Sequence, residues 1–384
     1  MAKVSIIRCA SYDLNQVTQA IQKSLDLIGG IGAYVKKDDK VLLKINQLRP
    51  AGPDRAITTH PAVVEAVIML LKKAGAKPYI GDSPGFGSLK LVASKSGIAE
   101  VAERTKTPLV EFDEPIEMSI QEGKMVKRFE IERKLADFDI IINMPKLKAH
   151  VLTTFTGGVK NLYGCIPGKI KAYQHVKMQD PYDFSEMLLD LYLLIKPRLT
   201  IMDGIIGMDG QGPNAGNKKE IGLILAGDDS LALDTVATSI VGLQDTPIIA
   251  LGKKRGLACA DIRKIKVFGE KIEDVKVLDF VHPKPWSATY FRFVGLAKRT
   301  FTSKPIVIED LCIGCCVCKK ACPKEAIRMK HKAWNKEAHD VTASVDYSKC
   351  IRCFCCSEMC PRKAILVRPT ILIRILITIR RIFN

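Results

Sequence analysis

The sequence predicts an α/β domain with a mostly parallel sheet and helices on both faces, followed by a much smaller α+β domain near the C-terminus. From about residue 35 to residue 269, short apolar runs alternate with longer segments of helical periodicity, as in parallel sheets that are covered on both faces. Ten of the 13 cysteines lie between Cys312 and Cys360. This asymmetry separates a large ordinary domain from a small one that depends on its cysteines. A chain of 384 residues also exceeds one comfortable core, which favours two domains.

The elements of the large domain follow from this alternation. Apolar runs that predict buried strands lie at 41–46, 78–82, 140–143, 199–203, 223–226 and 265–268. A helix is predicted from Pro61 to Ala74, with Thr59 as its N-cap and Gly75 as its stop. The glycines of 29–32 precede a strand and are expected to end a helix. The Gly-rich segment 203–213 is predicted to be a turn directly after a strand; it either binds an anion through its backbone amides or only reverses the chain.

The composition is that of a folded chain, with 47% apolar, 26% charged and 6% aromatic residues, which excludes disordered, collagen-like and membrane-spanning classes. No run approaches the ~18 uncharged apolar residues of a spanning helix. The first eight residues show no secretory signal, so a cytoplasmic protein is expected. In that compartment clustered cysteines are metal ligands or redox groups rather than disulfides. The net charge of +18 is compatible with binding to nucleic acid, acidic lipid, acidic protein or an anionic substrate, and it does not discriminate among these partners.

Polar residues stand at the carboxyl ends of four predicted strands, where parallel α/β sheets bind their ligands. These residues are Asn46, Asp82, Asn143 and Asp203. Asp82 and Asp203 are expected to orient a lysine or hold a cation. With Lys148 and Asn161, the four residues form the predicted substrate- or anion-binding set.

A basic segment follows the third of these strand ends. Residues 143–175 contain five lysines and two histidines but no Asp or Glu. A solvated face normally interleaves acids, so we favour an anion-binding site over a solvated basic face. The predicted catalytic residues are Lys146, Lys160, His150 and His175, with a histidine as proton donor, because reducing an organic substrate requires protons as well as electrons. A structural role remains the alternative for each histidine, and Cys165 is either a reactive thiol or a buried bystander.

The cysteine pattern is the strongest signal in the chain. Cys312-x2-Cys315-x2-Cys318-x3-Cys322-Pro323 is repeated as Cys350-x2-Cys353-x2-Cys356-x3-Cys360-Pro361. Zinc needs four ligands per site and gives no reason for a repeated three-plus-one spacing. Cys316 and Cys355 lie inside the motifs but outside the spacing, and we interpret them as small packed residues.

Both motifs resemble the bacterial two-cluster ferredoxin domain over about 60 residues. The resemblance implies two [4Fe-4S] clusters, an α+β ferredoxin-like fold and low-potential one-electron transfer. In such domains the fourth cysteine of each motif binds the other cluster. The implied ligands of cluster 1 are Cys312, Cys315, Cys318 and Cys360. Those of cluster 2 are Cys350, Cys353, Cys356 and Cys322.

A second resemblance covers roughly residues 37 to 270. It is carried by Lys44-Ile45-Asn46, Gly81-Asp82-Ser83-Pro84-Gly85, Asn143-Met144-Pro145-Lys146, Val159-Lys160-Asn161-Leu162-Tyr163-Gly164, Asp203-Gly204 and Leu233-Asp234. These motifs, in this order, resemble the family known as domain of unknown function 362, whose members are often fused to ferredoxin modules. The resemblance nominates the motif residues as the site and implies little mechanism.

The predicted organisation is an α/β domain at 1–271, a connector at 272–305, the two-cluster domain at 306–367 and a basic apolar tail at 368–384. Residues 370–383 are too short and too charged to span a bilayer. As a helix they would place Thr370, Arg374, Thr378 and Arg381 on one polar stripe, which suits an anionic membrane surface. Packing on the cluster domain or on a partner chain, and a strand, remain open alternatives.

Three functions are compatible with the sequence. The preferred one is an oxidoreductase of anaerobic metabolism, whose clusters deliver electrons to an anionic small molecule in the α/β domain. The alternative is a non-catalytic electron relay, in which the α/β domain docks a redox partner protein or electron donor. An RNA-binding iron–sulfur protein is disfavoured, because aromatics are scarce and no RNA module is present.

Overall fold

The computed structural model describes residues 1–168, 170–171, 174, 178, 180–243, 245–283, 304–322, 324–331, 341–352 and 354–368. The chain divides into a larger unit, 1–171 with 182–283, and a smaller unit, 172–181 with 284–384. His175, Cys353 and the tail 370–383 lie outside the described residues, as does most of the predicted connector. Residues 272–283, at the start of that connector, belong to the larger unit, where Val275 and Phe280 are buried in its core.

The larger unit is an α/β fold around one ten-stranded sheet in the described part of the chain. Its strands are β1 (Lys3–Arg8), β2 (Lys40–Ile45), β3 (Lys77–Asp82), β4 (Leu109–Glu111), β7 (Ile140–Met144), β8 (Lys146–His150), β9 (Thr154–Thr156), β10 (Leu199–Asp209), β11 (Asn217–Gly227) and β12 (Lys266–Gly269). The strands β5 (Pro115–Ser119) and β6 (Arg128–Glu132) form a separate hairpin. The helices are α1 (Leu14–Leu27), α2 (Pro61–Lys73), α3 (Leu89–Ser96), α4 (Ile98–Arg104), α5 (Gly158–Asn161), α6 (Pro181–Ile195), α7 (Ser230–Ile240) and α8 (Pro247–Lys254).

The strand order is β12-β1-β11-β10-β7-β2-β3-β4, and β8 pairs with both β10 and β9. Most neighbours are parallel, as predicted, whereas β11 runs antiparallel to β1 and β10, and β9 to β8. One apolar layer joins α1 and α2 to the sheet, and α7 covers the opposite face. Unbroken apolar strands therefore reflect burial on both faces, as the sequence indicated.

Two local predictions are wrong, and one alternative that the sequence disfavoured is excluded. The segment 203–213 is not a turn directly after a strand, because β10 continues to Asp209 through a bulge between Gly204 and Ile206. The N-cap of α2 is His60 rather than Thr59. The basic segment is not a solvated face where it passes through β8, since all five residues of that strand are buried.

In its described residues, the smaller unit contains two antiparallel strand pairs and two short helices. Strands β13 (Lys304–Val307) and β16 (Ile365–Arg368) pair with each other, as do β14 (Ile327–His331) and β15 (Val341–Val345). Helices α9 (Val317–Lys320) and α10 (Cys355–Met359) lie within the cysteine motifs. The two motifs also share their backbone turns. Left-handed residues occur at Gly314, Cys316 and Glu325, and at the equivalent positions Arg352, Phe354 and Lys363.

Candidate functional site

A buried ion pair joins the carboxyl ends of two neighbouring parallel strands. Lys44 Nζ of β2 lies 2.8 Å from Asp82 Oδ1 of β3, and both side chains are almost fully buried. The Gln47 amide donates to the other carboxylate oxygen at 2.6 Å. Gly164 packs directly on the pair, since a Cβ at this position would lie 2.1 Å from Asp82 Oδ1 and 2.6 Å from Lys44 Nζ. The motif residue Gly164 is therefore required by a close approach to a charged pair.

A second buried ion pair lies between β8 and β10. Lys146 Nζ lies 2.8 Å from Asp203 Oδ2, and neither side chain is more than 1% exposed. Tyr12 closes this pair into a triangle: its hydroxyl donates to Asp203 Oδ1 at 2.9 Å and accepts from Lys146 Nζ at 2.6 Å. Burial lowers the pKa of Lys146, whereas Asp203 opposes that change. Burial also raises the pKa of Tyr12, so the phenol keeps its proton.

His60 completes this second group. Its ring stacks on Tyr12 with centroids 3.5 Å apart and planes 10° apart, and its backbone amide donates to Asp203 Oδ2 at 2.9 Å. Burial lowers the pKa of His60 to about 4; Asp203 raises it and Lys146 lowers it further. The imidazole is therefore neutral near pH 7. Tyr12 and His60 were missed in the sequence, because neither stands in a motif or at a predicted strand end.

A third contact links β8 to the end of β2. Lys148 Nζ donates to Asn46 Oδ1 at 2.6 Å and to the Ile57 carbonyl at 2.7 Å. Lys146 and Lys148 are two residues apart on one strand, so their side chains leave the same face of the sheet. The sequence nominated both lysines as site residues, and in the structure each is bonded to groups of the protein itself.

The predicted residues Asn143 and Asn161 form a buried amide network. Asn161 Nδ2 donates to Asn143 Oδ1 at 2.8 Å, and Asn143 Nδ2 donates to the Gly158 carbonyl at 2.8 Å. Asp234 accepts from the backbone amides of Gly158 and Val159 at 2.6 and 2.9 Å. Burial raises the pKa of Asp234 to about 7. The Asp234 side chain therefore binds the amides in the first turn of α5, and the hydrogen bonds of Asn143 and Asn161 hold the chain at this place.

Lys171 and Cys165 lie beside the Lys44–Asp82 pair. Lys171 Nζ donates to the carbonyls of Ser83 and Pro84. Burial lowers the pKa of Lys171 to about 7, and Asp82 opposes that effect. Burial raises the pKa of Cys165 to about 12, which argues against a reactive thiolate there. The sequence offered Lys171 only as one of five lysines in the basic segment.

The remaining predicted catalytic residues are not members of these ion pairs or are not described. His150 is buried, and its Nδ1 accepts from the Leu152 and Thr153 amides, which shapes the turn after β8. Lys160 is partly exposed, with its Nζ 5.9 Å from the centre of the Phe184 ring. His175 lies outside the described residues.

In the smaller unit, cysteines from both motifs line one cavity, and Cys316, which lies outside the motif spacing, is among them. Cys312, Cys315, Cys318 and Cys360 all line it. Burial raises the pKa of Cys318 to about 12, and the nearby Cys360, Cys312 and Cys315 raise it further. Deprotonation of these thiols would place several negative charges close together, which is unfavourable unless a cation such as iron binds them. The donor set therefore fits a [4Fe-4S] cluster. No three His, Cys, Asp or Glu side chains in the described ranges are grouped to hold a single metal ion.

The second predicted set is described only in part. Cys350 and Cys356 both lie near Tyr347. Burial is the main cause that raises the pKa of the Tyr347 hydroxyl, and the two cysteines raise it further. Cys353 lies outside the described residues. The fourth cysteines of the two motifs have matching environments. Cys322 Sγ accepts from the Ala326 amide and Cys360 Sγ from the Ala364 amide, each at 3.2 Å. Hydrogen bonds to cysteine sulfur are among the factors that set cluster potentials.

Residues 41–239 match a family described as a domain of unknown function (DUF362), and residues 304–361 match a 4Fe-4S dicluster domain. A thylakoid-associated protein of Synechocystis sp. is 36% identical over 318 residues, which cover 78% of this chain and 98% of that protein. Among solved structures, the lactate racemase apoprotein of Thermoanaerobacterium thermosaccharolyticum is similar with a TM-score of 0.37 and 14% identity. That match covers 54% of this chain and 51% of the racemase, so the chain spans about half its length.

None of the helices in the described ranges is both long and apolar enough to cross a membrane.

Proposed function

The chain belongs to the DUF362 family and carries a 4Fe-4S dicluster domain C-terminal to it, and from this premise we propose that it is an iron–sulfur oxidoreductase. It reduces a small anionic molecule that binds at the carboxyl ends of the strands in the larger unit. The dicluster domain indicates iron–sulfur electron transfer; the acceptor is inferred from the larger unit.

One observation carries the proposal. Two lysine–carboxylate pairs, Lys44–Asp82 and Lys146–Asp203, are buried at neighbouring strand ends. Buried ion pairs contribute little net stability, because the desolvation of both charges offsets their attraction. Burial lowers the pKa of Lys146, whose charge partner is Asp203, and a group of this kind at the carboxyl end of a parallel strand is typical of functional sites. Titratable groups at the place where α/β sheets bind ligands therefore favour catalysis over a purely structural role.

The chemistry divides between the two units. When bound by the cysteines, the clusters supply low-potential single electrons. An organic acceptor also needs protons, and the Lys146–Tyr12–Asp203 triangle can hold them. Burial lowers the pKa of Lys146 and so makes the proton on its Nζ easier to release, while the Tyr12 hydroxyl bonds to both charged partners.

Reoxidation of the reduced protein tests this proposal. Iron-loaded protein is reduced with dithionite under anaerobic conditions and mixed with the small-molecule or the protein fraction of a cell extract, while visible absorbance is followed. The small-molecule fraction should reoxidise the wild type. Tyr12→Phe, which keeps the ring and removes the hydroxyl, should slow this reaction by about tenfold to a hundredfold.

Tyr34→Phe is the matched control, because it removes a buried phenolic hydroxyl that donates to the Ile28 carbonyl, away from the strand ends. It should reoxidise at the wild-type rate, and both variants should contain the wild-type amount of iron. Reoxidation by the protein fraction alone, at equal rates in both variants, would establish the electron relay instead.

We also propose that the chain associates peripherally with membranes. The name of the Synechocystis relative and the basic apolar sequence of 370–383 support this. Sedimentation with anionic lipid vesicles should exceed that with neutral vesicles. It should fall when Arg374 and Arg381 are both replaced by Glu, and equal sedimentation in all samples would reject the proposal.

A further inference from the structure

Asn46 and His60 are neighbours at the carboxyl end of β2. The Asn46 amide donates to Thr59 Oγ1 at 2.9 Å, and the Thr59 amide donates to the Asn46 carbonyl at 3.0 Å. His60 is the next residue in the chain. Both side chains are partly exposed, in contrast to the fully buried Lys146 and Lys148 behind them. These two side chains are therefore accessible to a ligand.

The protein interior fixes the orientation of the Asn46 amide. Lys148 Nζ donates to Asn46 Oδ1 at 2.6 Å, and an ammonium has only donors to offer. The oxygen of Asn46 must therefore face Lys148, which leaves the two donors of Nδ2 on the other side. Nδ2 has no hydrogen-bond partner among the described residues.

The interior also fixes the tautomer of His60. The Ala62 amide donates to His60 Nδ1 at 3.2 Å, so this nitrogen is an acceptor and the proton of the neutral ring sits on Nε2. Burial lowers the pKa of His60 to about 4, which keeps the ring neutral near pH 7. The parallel stack on Tyr12 holds the ring plane. His60 Nε2 also lacks a partner in the described part of the chain.

The carboxylate oxygens of the nearby Asp203 already accept hydrogen bonds from the protein. Asp203 Oδ1 accepts from the Tyr12 hydroxyl, and Oδ2 accepts from Lys146 Nζ and from the His60 amide. Asn46 and His60 thus present donors beside a carboxylate that is saturated by the protein. A ligand group that only accepts hydrogen bonds matches this arrangement, and an ionised carboxylate is such a group.

We propose that Asn46 and His60 bind a carboxylate group of the acceptor molecule, through Asn46 Nδ2 and His60 Nε2. The inference rests on the proposed function in that it names the chemical class of the acceptor and the residues that bind it. Hydrogen bonds to a charged acceptor are short and stronger than neutral ones, so two of them hold the ligand in a fixed orientation.

Acetate, with acetamide as its uncharged analogue, tests the inference on the oxidised, iron-loaded protein. Binding is followed by the ¹⁵N NMR signals of the Asn46 side-chain amide and of His60 Nε2. Acetate should shift both signals and acetamide neither. Asn46→Asp keeps an oxygen for Lys148 but replaces the donors by an acceptor, and it should weaken acetate binding by about tenfold or more.

Asn217→Asp is the matched control, since it adds the same charge at an exposed position at the start of β11 and should bind acetate like the wild type. His60→Phe retains a ring to stack on Tyr12 but lacks the donor, and it provides a second variant in case Asn46→Asp does not fold. Absence of acetate binding to the wild type, or equal affinity in the wild type and both site variants, would overturn the inference. Neither result depends on reoxidation, so failure of the proposed function is recognised separately.

Discussion

At the scale of single residues, some motif positions have no reactive side chain, and close contacts with other motif residues explain why they are in the motif. Gly164 is the clearest case, because it leaves no room for a side chain beside the Lys44–Asp82 pair. Its backbone carbonyl also accepts from the Ser83 amide at 3.0 Å. The glycine thus brings the segment after α5 onto a buried charge pair, and its role is steric.

Gly164→Ala should destabilise the larger unit by about 1–3 kcal/mol, because the added methyl group must displace Asp82 or Lys44. Gly168→Ala is the matched control, since its nearest atoms would lie 3.8 Å away or more and its backbone is not left-handed. Urea unfolding measures both variants. Equal midpoints for the two would contradict the steric explanation.

The pKa of His60 offers a second test at this scale. A folded pKa of about 4 against an ordinary 6.5 means that the unfolded chain binds the proton more readily between these values. Stability contributed by His60 is therefore complete above about pH 6.5 and decreases as the pH falls towards 4. The charged and titratable groups around the ring are Tyr12, Lys146 and Asp203.

NMR titration of the His60 ring should give this lowered pKa, and the same signal in denaturing urea should titrate near its ordinary value. A folded pKa near 6.5 would show that the ring is solvated, and it would remove the argument for a neutral donor near pH 7.

At the scale of elements, a helix of one turn depends on a carboxylate from another helix. Helix α5 spans only Gly158–Asn161, and Asp234 of α7 accepts two of its amide hydrogen bonds. Such a short helix has little stability of its own, so its position is set by tertiary contacts. Through α5, Asp234 positions Asn161 and the segment that leads to Gly164.

Asp234→Ala should cost about 1–3 kcal/mol, because it leaves the Gly158 and Val159 amides buried without an acceptor. Asp245→Ala is the control, since Asp245 is exposed and forms a surface ion pair with Lys253, an interaction of about 0–1 kcal/mol. Thermal unfolding of the iron-loaded protein measures the stability of both variants. Equal losses of stability in the two variants would contradict the prediction.

At the scale of the whole molecule, the two groups of candidate functional residues lie in different units. The larger unit contains the two buried ion pairs. The smaller unit contains the cysteine motifs around a small core, to which seven of the described residues contribute buried side chains. Small domains of this kind depend on their metal for stability. Cys360 of the second motif lines the same cavity as Cys312 of the first, so residues of both motifs contribute to one site.

Cys360→Ser should therefore disturb cluster 1 although Cys360 belongs to the second motif, and iron content should fall by up to about half. Cys316→Ser, outside the motif spacing, should retain the wild-type iron content. Iron analysis and electron paramagnetic resonance of the reduced protein measure both. An unchanged cluster 1 signal in Cys360→Ser would show that the ligand sets do not cross between the motifs.

The sequence by itself determined the fold class, six strands of the larger unit and the cysteine spacing. Each of these depends on local periodicity or on fixed intervals along the chain. It also nominated Asn46 and Asp203, because the carboxyl ends of parallel strands must meet at one edge of the sheet. Lys146 was nominated because it lies in a basic segment without Asp or Glu.

Only the tertiary structure decided what these residues contact. The lysines of the basic segment look available in the sequence, yet Lys146 and Lys148 are buried and bonded within the protein. Tyr12 and His60 reach the same place from segments without any motif, because α1 and α2 pack side by side on the sheet. Partners that are distant in the chain are fixed by packing and desolvation, and these forces leave no periodic signal in the sequence.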